Sequence, residues 1–230
     1  MTPAEIVQAS EELNLKVIAI TDHDSVSGVE ETIRTAQNNI EVIPAVEFSS
    51  NIGHIDIHIL AYYIDTHNDE LLSYLDAFQQ HRMRRAKKIV EKLSYDGVKL
   101  DFDQIKSSAK NAALGRPHIA EALKENGYVN SISEAFFRYL GYHAPYYEPK
   151  KNIHPKQVIQ YIKNWEGIPV IAHPNIVDRE GLTHQIIEDG AVGIEVWHPE
   201  HTERMEQQFR QVAVEHGLLM TGGSDYHCYR

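Results

Sequence analysis

Residues 17–24 read VIAITDHD, a short apolar run that ends abruptly in a histidine with one aspartate on each side. An uninterrupted apolar run of this length, rich in β-branched side chains, is typical of a strand that is buried on both faces. Carboxylates and an imidazole are costly to bury in a core and useful at a functional site. Taken alone, the stretch fits a surface turn that contains a histidine equally well, so the interpretation depends on whether the pattern recurs.

The pattern does recur along the chain. Six strands are predicted, at residues 17–21, 41–48, 55–64, 168–172, 192–197 and 218–221. Helical spacing of apolar residues separates most of them, at residues 2–14, 27–36, 155–165, 183–188 and 203–216. Polar clusters fall at the ends of five of the six strands. Strands that alternate with helices indicate an α/β fold with a parallel sheet or barrel, in which functional side chains gather at the carboxyl ends of the strands.

The part of the chain from residue 68 to 151 has a different character. Apolar residues keep helical spacing from Leu75 to Leu93, and no strong strand pattern follows. Aromatic residues are dense near the end of this part. We therefore predict a helical insertion domain at 68–151 between two parts of one barrel, at 1–67 and 152–230.

Length and composition bound the class of protein. With 230 residues, of which 42% are hydrophobic and 24% charged, the chain is long enough for a large globular domain with an insertion. No apolar run approaches about 18 residues and no secretory signal is evident, so we expect no membrane span. The single cysteine, Cys228, excludes an internal disulfide and favours a reducing, cytoplasmic location. A net charge of −11 argues against broad, non-specific binding of nucleic acid.

Eight polar residues stand out because they lie in or directly after the predicted strands: Asp22, His23, Glu47, His58, His173, His198, Asp225 and His227. Mixed imidazole and carboxylate ligands suit Zn²⁺, Mn²⁺ or Fe²⁺, and more than four candidates suggest two or more ions that share bridging carboxylates. Paired ions fit in-line displacement at phosphorus, because they activate water and clamp the attacking and leaving oxygens.

Simpler interpretations exist for several of these residues. The His–Pro pairs that begin at His173 and His198 fit turns that end strands, and His58 fits a hydrogen-bonded core histidine. We interpret Asp22 and Asp24 as partners that orient the histidine between them rather than as ligands. Other histidines are expected on the surface or in loops: His54, His67, His143, His154, His184, His201 and His216.

Basic residues of the insertion suggest a phosphate site. Arg116 precedes Pro117 and His118 at a predicted helix start, which is either a capped surface helix or a place where N–H groups and a guanidinium hold a phosphate together. In the run at residues 81–88, the apolar stripe places Arg82 on the apolar face, where it either snorkels or faces the site. The other basic residues of this run are expected on a solvated face.

Seven features occur in order along the chain: ITDHD at 20–24, Glu47, HILAYYID at 58–65, GRPHIA at 115–120, AHP at 172–174, EVWHPEH at 195–201 and GGSDYH at 222–227. Together they resemble the PHP (polymerase and histidinol phosphatase) superfamily of metal-dependent phosphoesterases over essentially the whole chain. Within it, the resemblance is to the small bacterial enzymes that act on nucleoside 3′,5′-bisphosphates and trim the 5′ ends of short RNA.

This resemblance implies a distorted (β/α)₇ barrel that binds up to three metal ions at one rim. By position it implies six metal ligands: His23, Glu47, His58, His173, Asp225 and His227. Arg116 and His118 match the substrate-phosphate contacts of the family, and His198 matches a motif at the edge of the site. The predicted catalytic residues are then Asp225, His227 and Arg116.

One element of the family is absent from the chain. Family members open with a strand that carries His-x-His, followed closely by an aspartate, and these residues supply a large share of the ligands. Here residues 2–5 read TPAE, which aligns with the helix after that strand. We therefore expect the chain to be a fragment that lacks the first strand and is truncated at its C-terminus.

The sequence thus predicts a metal-dependent phosphoesterase in which two or three divalent ions activate water to attack a phosphomonoester or a terminal nucleotide phosphate. Mn²⁺ is the first choice of metal, with Zn²⁺ or Fe²⁺ as alternatives. Substrate binding is assigned to Arg116, His118, His198 and Arg82. The expected partner is a phosphorylated small molecule or a short oligonucleotide, with no extended duplex and no membrane. Two alternatives remain, a non-catalytic domain that binds metal or nucleotide and a histidinol-phosphate phosphatase.

Overall fold

The structure is a computed structural model that describes residues 1–37, 39–109, 113–179 and 181–226. The chain forms two compact units. Unit 1 comprises Met1–Leu71 and Ile153–Arg230, and unit 2 comprises Leu72–Asn152. The domain boundaries predicted from the sequence stay a proposal, because compactness alone does not define a domain.

Six strands of unit 1 form one curled sheet in sequence order: β1 (Val17–Ile20), β2 (Glu41–Ile52), β3 (Ile55–Tyr62), β4 (Ile168–Ile171), β5 (Gly193–Trp197) and β6 (Leu219–Gly222). Strands β1 and β2 are parallel, as are β4, β5 and β6, whereas β3 runs antiparallel to both of its neighbours. The predicted α/β fold is confirmed, and its sheet is mixed because β3 is antiparallel to β2 and β4.

The direction of β3 follows from the length of its connection to β2. Between the two strands lie Gly53 and His54, and Gly53 has a φ of 60°, which glycine adopts without strain. A crossover to a parallel strand needs a dozen or more residues, so a two-residue loop permits only an antiparallel hairpin. The hairpin register pairs His58 with Ser49, two residues beyond Glu47, which places His58 inside β3 rather than at its carboxyl end.

Helices make up much of the remaining described chain: α1 (Pro3–Glu12), α2 (Val29–Ala36), α3 (Asp69–Tyr95), α4 (Phe102–Ser108), α5 (Arg116–Glu125), α6 (Ile132–Ala135), α7 (Pro155–Asn164), α8 (Asn175–Arg179), α9 (Thr183–Glu188) and α10 (Glu203–His216). A π-helical turn, Phe136–Leu140, follows α6. Helix α1 begins with a reciprocal cap, in which Thr2 N donates to Glu5 Oε2 at 2.7 Å and Glu5 N donates to Thr2 Oγ1 at 3.3 Å. Among the described residues, no helix has the length and apolar character needed to cross a membrane.

Apolar side chains in the core of unit 1 hold in place the strands that also carry the polar side chains of interest. Phe48 of β2, Ile57 of β3 and Ile159 of α7 are fully buried. The ring centroids of Phe48 and Trp165, the C-cap residue of α7, are 5.9 Å apart. Successive side chains of a strand point to opposite faces, so burial of Phe48 holds the preceding residue, Glu47, on the other face of the sheet.

Unit 2 has an apolar core of its own. Ile89 and Leu93 of α3 pack in one buried cluster with Ile119 and Leu123 of α5 and with Leu140 of the π-helical turn. Full burial of a side chain of this size stabilises a fold by roughly 1.5–3 kcal/mol. In the described part of unit 2 no strand occurs, as the helical spacing of its apolar residues predicts.

Candidate metal centre

The centre of the candidate site is Glu47, a buried carboxylate on β2 that lies among three imidazoles. Its Oε1 lies 2.9 Å from Nδ1 of His58 and 3.2 Å from Nε2 of His173, and its Oε2 lies 3.4 Å from Nδ1 of His23. The Glu47 side chain is 7% exposed. The structure therefore places side by side four of the six residues that the family resemblance implies as ligands.

The turn after β1 positions His23. A parallel bridge pairs His23 with Glu47, and Asp24 N donates to Glu47 O at 2.9 Å. Asp24 is fully buried, and its Oδ1 accepts a hydrogen bond from Ser49 N at 2.9 Å. Asp24 thereby ties the turn that carries His23 to β2, which carries Glu47.

The donor atoms of the cluster converge. One atom each of His23, Glu47 and His58 lie within 4.8 Å of one another. Nδ1 of His58 and Nε2 of His173 face each other at 3.0 Å. Two ring nitrogens at this distance share a proton or a cation, because two lone pairs repel. Three imidazoles and a carboxylate that converge in this way fit Zn²⁺, Mn²⁺ or Fe²⁺.

The charges of the cluster stabilise one another. Burial alone raises the pKa of Glu47, but the charge of His58 and the hydrogen bonds of His173 and His58 outweigh burial and hold the pKa well below its ordinary value. Burial lowers the pKa of His173, whereas the hydrogen bond and charge of Glu47 outweigh burial and raise it. Glu47 therefore stays ionised at neutral pH, as a carboxylate ligand must be.

A second buried carboxylate, Glu195 on β5, holds the backbone of His173. Its Oε2 accepts a hydrogen bond from His173 N at 2.8 Å, and His173 has a φ of 26° in the turn after β4. A Cβ at Gly223 would overlap Oε1 of Glu195, so a side chain at residue 223 would shift this carboxylate. Glu195 therefore links the turn that carries His173 to the turn that leads to Asp225.

Sequence reasoning missed Glu195, although a signal is present. The residue is a carboxylate in the middle of a short apolar strand, and its side chain is buried. Burial raises the pKa of Glu195 to about 7, and the hydrogen bond from His173 N offsets part of that effect. Burial and the charge of Glu195 also raise the pKa of Tyr62 to about 12. A buried carboxylate of this kind costs folding free energy, which makes it a candidate for a functional role.

His198 and Asp225 extend the cluster beyond His173. The ring centroids of His173 and His198 are 5.8 Å apart, and Nε2 of His198 lies 4.0 Å from Oδ2 of Asp225. Asp225 has a φ of 44° and a side chain that is 35% exposed. Glu200 N donates to Nδ1 of His198 at 3.1 Å, so the proton of the neutral ring is on Nε2. His198 therefore presents an N–H group on the side of Asp225.

His201 lies in the loop between β5 and α10, which agrees with the expectation of a surface or loop residue, but its side chain is buried. His201 is 9% exposed, its Nδ1 lies 2.8 Å from the carbonyl oxygen of Val196, and its ring centroid lies 4.9 Å from that of Phe209. His201 N donates to His198 O at 2.9 Å, which closes a turn. This turn brings His201 back to β5, and a local sequence pattern does not show that return.

Arg116, predicted to bind phosphate, lies at the start of α5 in unit 2. Its Nη1 donates to Leu140 O at 3.1 Å. The guanidinium carbon lies 5.6 Å from the ring centroids of both Phe136 and Tyr147. These contacts hold the guanidinium in one orientation, and hydrogen-bond donors remain for an anion.

The other predicted site residues of unit 2 lie near the same turn. Nδ1 of His118 accepts a hydrogen bond from Gly115 N at 3.2 Å, so His118 caps the start of α5. Arg82 of α3 is half-buried, and its Nη1 lies close to the position that a Cβ of residue 115 would occupy, beside Gly115. Unit 2 thus gathers three cationic or imidazole groups at one helix start. The predicted ligand His227 lies outside the described residues.

The fold and the candidate site together define a class. An α/β sheet that collects imidazoles and carboxylates at the ends of its strands is a scaffold for metal-assisted hydrolysis.

The chain belongs to the PHP domain family, whose profile matches residues 1–216. It is 29% identical to a 5′-3′ exoribonuclease of Haemophilus influenzae, over 99% of this chain and 85% of that protein. It is also 29% identical to a 3′,5′-nucleoside bisphosphate phosphatase of Chromobacterium violaceum, over 99% of this chain and 82% of that protein. A solved structure from Bifidobacterium adolescentis, provisionally assigned as a metal-dependent phosphoesterase, has a TM-score of 0.87 at 30% identity and covers 99% of this chain and 82% of that one. The protein is therefore a metal-dependent phosphoesterase, as the motifs predict.

Proposed function

We propose that the protein hydrolyses a terminal phosphate ester of a nucleotide, in a nucleoside 3′,5′-bisphosphate or at the 5′ end of a short RNA. The observation that carries the proposal is the contact of Glu47 with three imidazoles, because this donor set holds the divalent ions used in phosphoester hydrolysis. The names of two relatives, an exoribonuclease and a bisphosphate phosphatase, support a nucleotide substrate. They favour a nucleotide over histidinol phosphate, the alternative substrate.

The proposed metal ligands are His23, Glu47, His58, His173, Asp225 and His227. We assign two or three divalent ions to them, Mn²⁺ first and Zn²⁺ or Fe²⁺ as alternatives. When bound, such ions lower the pKa of water and polarise a phosphoryl oxygen. The neighbours of Glu47 keep it ionised, and Glu195 holds the backbone that presents His173 to it.

In the proposed reaction, water adds to phosphorus, the bond from phosphorus to the leaving oxygen breaks, and the leaving oxygen takes up a proton. We assign Asp225 and His227 to positioning the attacking water, and Arg116 to neutralising the phosphate. The N–H group that His198 presents on the side of Asp225 is assigned to substrate binding, together with His118 and Arg82.

The proposed partners are a phosphorylated small molecule or a short oligonucleotide, without extended duplex nucleic acid and without a membrane. The net charge of −11 supports the exclusion of extended duplex, because such binding needs a broad basic footprint. A cytoplasmic location remains a prediction from the single cysteine.

The test is the release of inorganic phosphate from adenosine 3′,5′-bisphosphate by Mn²⁺-loaded protein, with histidinol phosphate as the competing substrate. We expect release from the nucleotide that stops when EDTA removes the metal. Metal loading is checked by electron paramagnetic resonance of bound Mn²⁺. Release from histidinol phosphate alone would replace the proposed substrate. The proposal would be contradicted if loaded protein released neither phosphate from any nucleotide nor a mononucleotide from short 5′-phosphorylated RNA.

A further inference from the structure

The side chains of Glu195 and His198 both face His173, although they are three residues apart in the sequence. Glu195 Oε2 accepts a hydrogen bond from His173 N at 2.8 Å, and the ring centroids of His198 and His173 are 5.8 Å apart. In a regular strand successive side chains alternate between the two faces of the sheet, so residues three apart point to opposite faces. The end of β5 therefore departs from a regular strand.

A β-bulge at the end of β5 accounts for this departure. Glu195 pairs with Thr221 of β6 and Trp197 pairs with Gly222, which leaves Val196 as an extra residue on β5. One extra residue shifts the alternation of side chains by one position. Bulges are rare between parallel strands, and they are over-represented next to active sites, where they redirect a side chain.

The bulge sets the direction of the two residues that follow Val196. The ring centroid of Trp197 lies 5.3 Å from the guanidinium carbon of Arg210, so Trp197 lies on the side of α10. The next residue, His198, points to the other side, where its Nε2 lies 4.0 Å from Oδ2 of Asp225. The bulge therefore decides whether the N–H group of His198 faces the candidate metal centre.

His201 is fastened to this bulge by a hydrogen bond. Its Nδ1 lies 2.8 Å from the carbonyl oxygen of Val196, and because a carbonyl oxygen can only accept, this ring nitrogen donates. His201 N also donates to His198 O at 2.9 Å, and the ring centroids of the two histidines are 5.2 Å apart. His201 thus contacts both the extra residue of the bulge and the residue that the bulge redirects.

The second ring nitrogen of His201 shows which atom makes an imidazole useful here. Nε2 is buried and has no hydrogen-bond partner among the residues that the structure describes. A buried polar atom without a partner costs folding free energy, so an apolar side chain would fill this space more favourably. The contribution that only a polar side chain can make is the hydrogen bond from Nδ1 to Val196 O.

We propose that His201 is a positioning residue, which holds the bulge at Val196 and thereby directs the Nε2–H group of His198 toward the substrate. This inference rests on the proposed function, which assigns His198 to substrate binding. The side chain of His201 is buried, so it acts through His198 and does not itself touch the substrate.

Two nearly isosteric substitutions test the hydrogen bond. His201→Asn keeps an N–H donor near the position of Nδ1, whereas His201→Leu has none. In Mn²⁺-loaded protein we expect His201→Leu to raise KM for adenosine 3′,5′-bisphosphate by about tenfold, the effect of losing one hydrogen bond to the substrate, and His201→Asn to stay within about threefold of the wild type. His201→Phe keeps an aromatic ring without a donor, so it should behave as His201→Leu and replaces that variant if the leucine prevents folding.

A second comparison asks whether the effect passes through His198. In the His198→Ala background, His201→Leu should change KM by less than about twofold, because two residues that act as one unit do not add their effects. The matched control is His154, whose Nδ1 accepts a hydrogen bond from Lys156 N at 3.2 Å at the start of α7. His154→Leu should leave KM unchanged. Thermal melts confirm that each variant is folded.

Nuclear magnetic resonance of metal-free protein with isotope-labelled histidines gives a readout that does not depend on hydrolysis. The hydrogen bond from Glu200 N to Nδ1 of His198 fixes the Nε2–H tautomer of that ring, and it lies in the loop that His201 holds. His201→Leu should weaken the preference of His198 for this tautomer, whereas His201→Asn should keep it. Loss of signals in His198→Ala assigns them.

The outcomes separate this inference from the proposed function. Unchanged His198 signals in His201→Leu overturn the inference, as do equal changes in the leucine and asparagine variants. An unchanged KM in His201→Leu, or an equal rise of KM in the His198→Ala background, overturns it if the wild type hydrolyses the bisphosphate. If the wild type does not hydrolyse the bisphosphate but His198 responds to His201 as expected, the proposed substrate fails and the positioning of His198 stands.

Discussion

Each of the two units buries a glutamate, and the two glutamates have different neighbours. Glu47 in unit 1 contacts three imidazoles, whereas Glu148 in unit 2 contacts the ammonium groups of Lys88 and Lys92. Their side chains are 7% and 8% exposed, so burial does not distinguish them. Both have a lowered pKa, Glu148 through its hydrogen bonds with the two lysines. The chemical nature of the partners is what separates the two sites.

An ammonium group has only donors and stays charged, so the contacts of Glu148 with Lys88 and Lys92 are complete without a further ion. Arg85 adds to this link, because its Nε donates to Glu148 O at 2.8 Å. An imidazole has a lone pair that a metal ion can use, so three imidazoles around Glu47 accept a cation. A buried carboxylate is thus a structural link in unit 2 and a candidate metal ligand in unit 1.

Exchange of each glutamate for glutamine tests this contrast most directly. Glu47→Gln removes the charge at the centre of the imidazole cluster, so we expect loss of Mn²⁺ binding and a fall in turnover of about 10³-fold, which corresponds to about 4 kcal/mol. Glu148→Gln should leave turnover within about twofold and lower the free energy of unfolding by about 1 kcal/mol, because its lysine partners remain partly solvated. Phosphate-release assays, Mn²⁺ titrations and thermal melts of both variants measure these effects. Loss of turnover in Glu148→Gln would contradict the distinction between the two sites.

The contact of Gly223, in the turn after β6, with Glu195 provides a second test. It asks whether Glu195 orients His173 for metal binding. Gly223→Ala would displace the Glu195 carboxylate from His173 N, so we expect Mn²⁺ affinity to fall by about 10–100-fold, the usual effect of disturbing a group that orients a ligand. In the Glu195→Ala background the overlap is absent, and Gly223→Ala should then have little further effect.

Gly97 in unit 2 is the control for a general loss of stability. It has a φ of 84° and open space around it, so Gly97→Ala should lower stability and leave Mn²⁺ affinity unchanged.

Additive losses of Mn²⁺ affinity from Glu195→Ala and Gly223→Ala would contradict the proposed coupling and show that the two residues act separately.

Arg116→Ala tests whether unit 2 contributes to substrate binding rather than to metal binding. Loss of one charged hydrogen bond to phosphate should raise KM for the bisphosphate by about tenfold, while Mn²⁺ affinity stays at the wild-type value. Arg138, which pairs with Glu134 at 2.8 Å and lies over Tyr139, is the matched control, and Arg138→Ala should leave KM unchanged. A fall in Mn²⁺ affinity in Arg116→Ala would contradict the division of roles between the units.

The pH dependence of stability gives the smallest of these effects. Burial raises the pKa of Glu195 to about 7, so the protonated carboxyl favours the folded state and this contribution is lost as pH rises through about 7. In metal-free protein, the wild type should therefore lose about 1 kcal/mol relative to Glu195→Gln between pH 6 and pH 8. Urea unfolding of both proteins at the two pH values measures this difference, and a pH-independent difference would show that Glu195 does not titrate in this range.

Local patterns predicted several elements closely because each has a signal within a few residues. The predicted strands at 168–172 and 218–221 match β4 and β6 within one residue. Strand β2, predicted to end at residue 48, continues to Ile52. Its polar end does not look like a strand in isolation, but Ser50 Oγ donates to Ile57 O at 2.7 Å across the hairpin, and this pairing stabilises the extension.

The amino-acid sequence alone shows the alternation of strands and helices, the polar residues near strand ends and the family, because these depend on residue order and short-range spacing. Tertiary structure alone decides the direction of β3, the burial of His201 and the link from Glu195 to His173. It also decides that imidazoles surround Glu47 whereas lysines surround Glu148. The physical reason is that the pKa and the chemical role of a buried carboxylate depend on the groups that folding brings to it from distant parts of the chain.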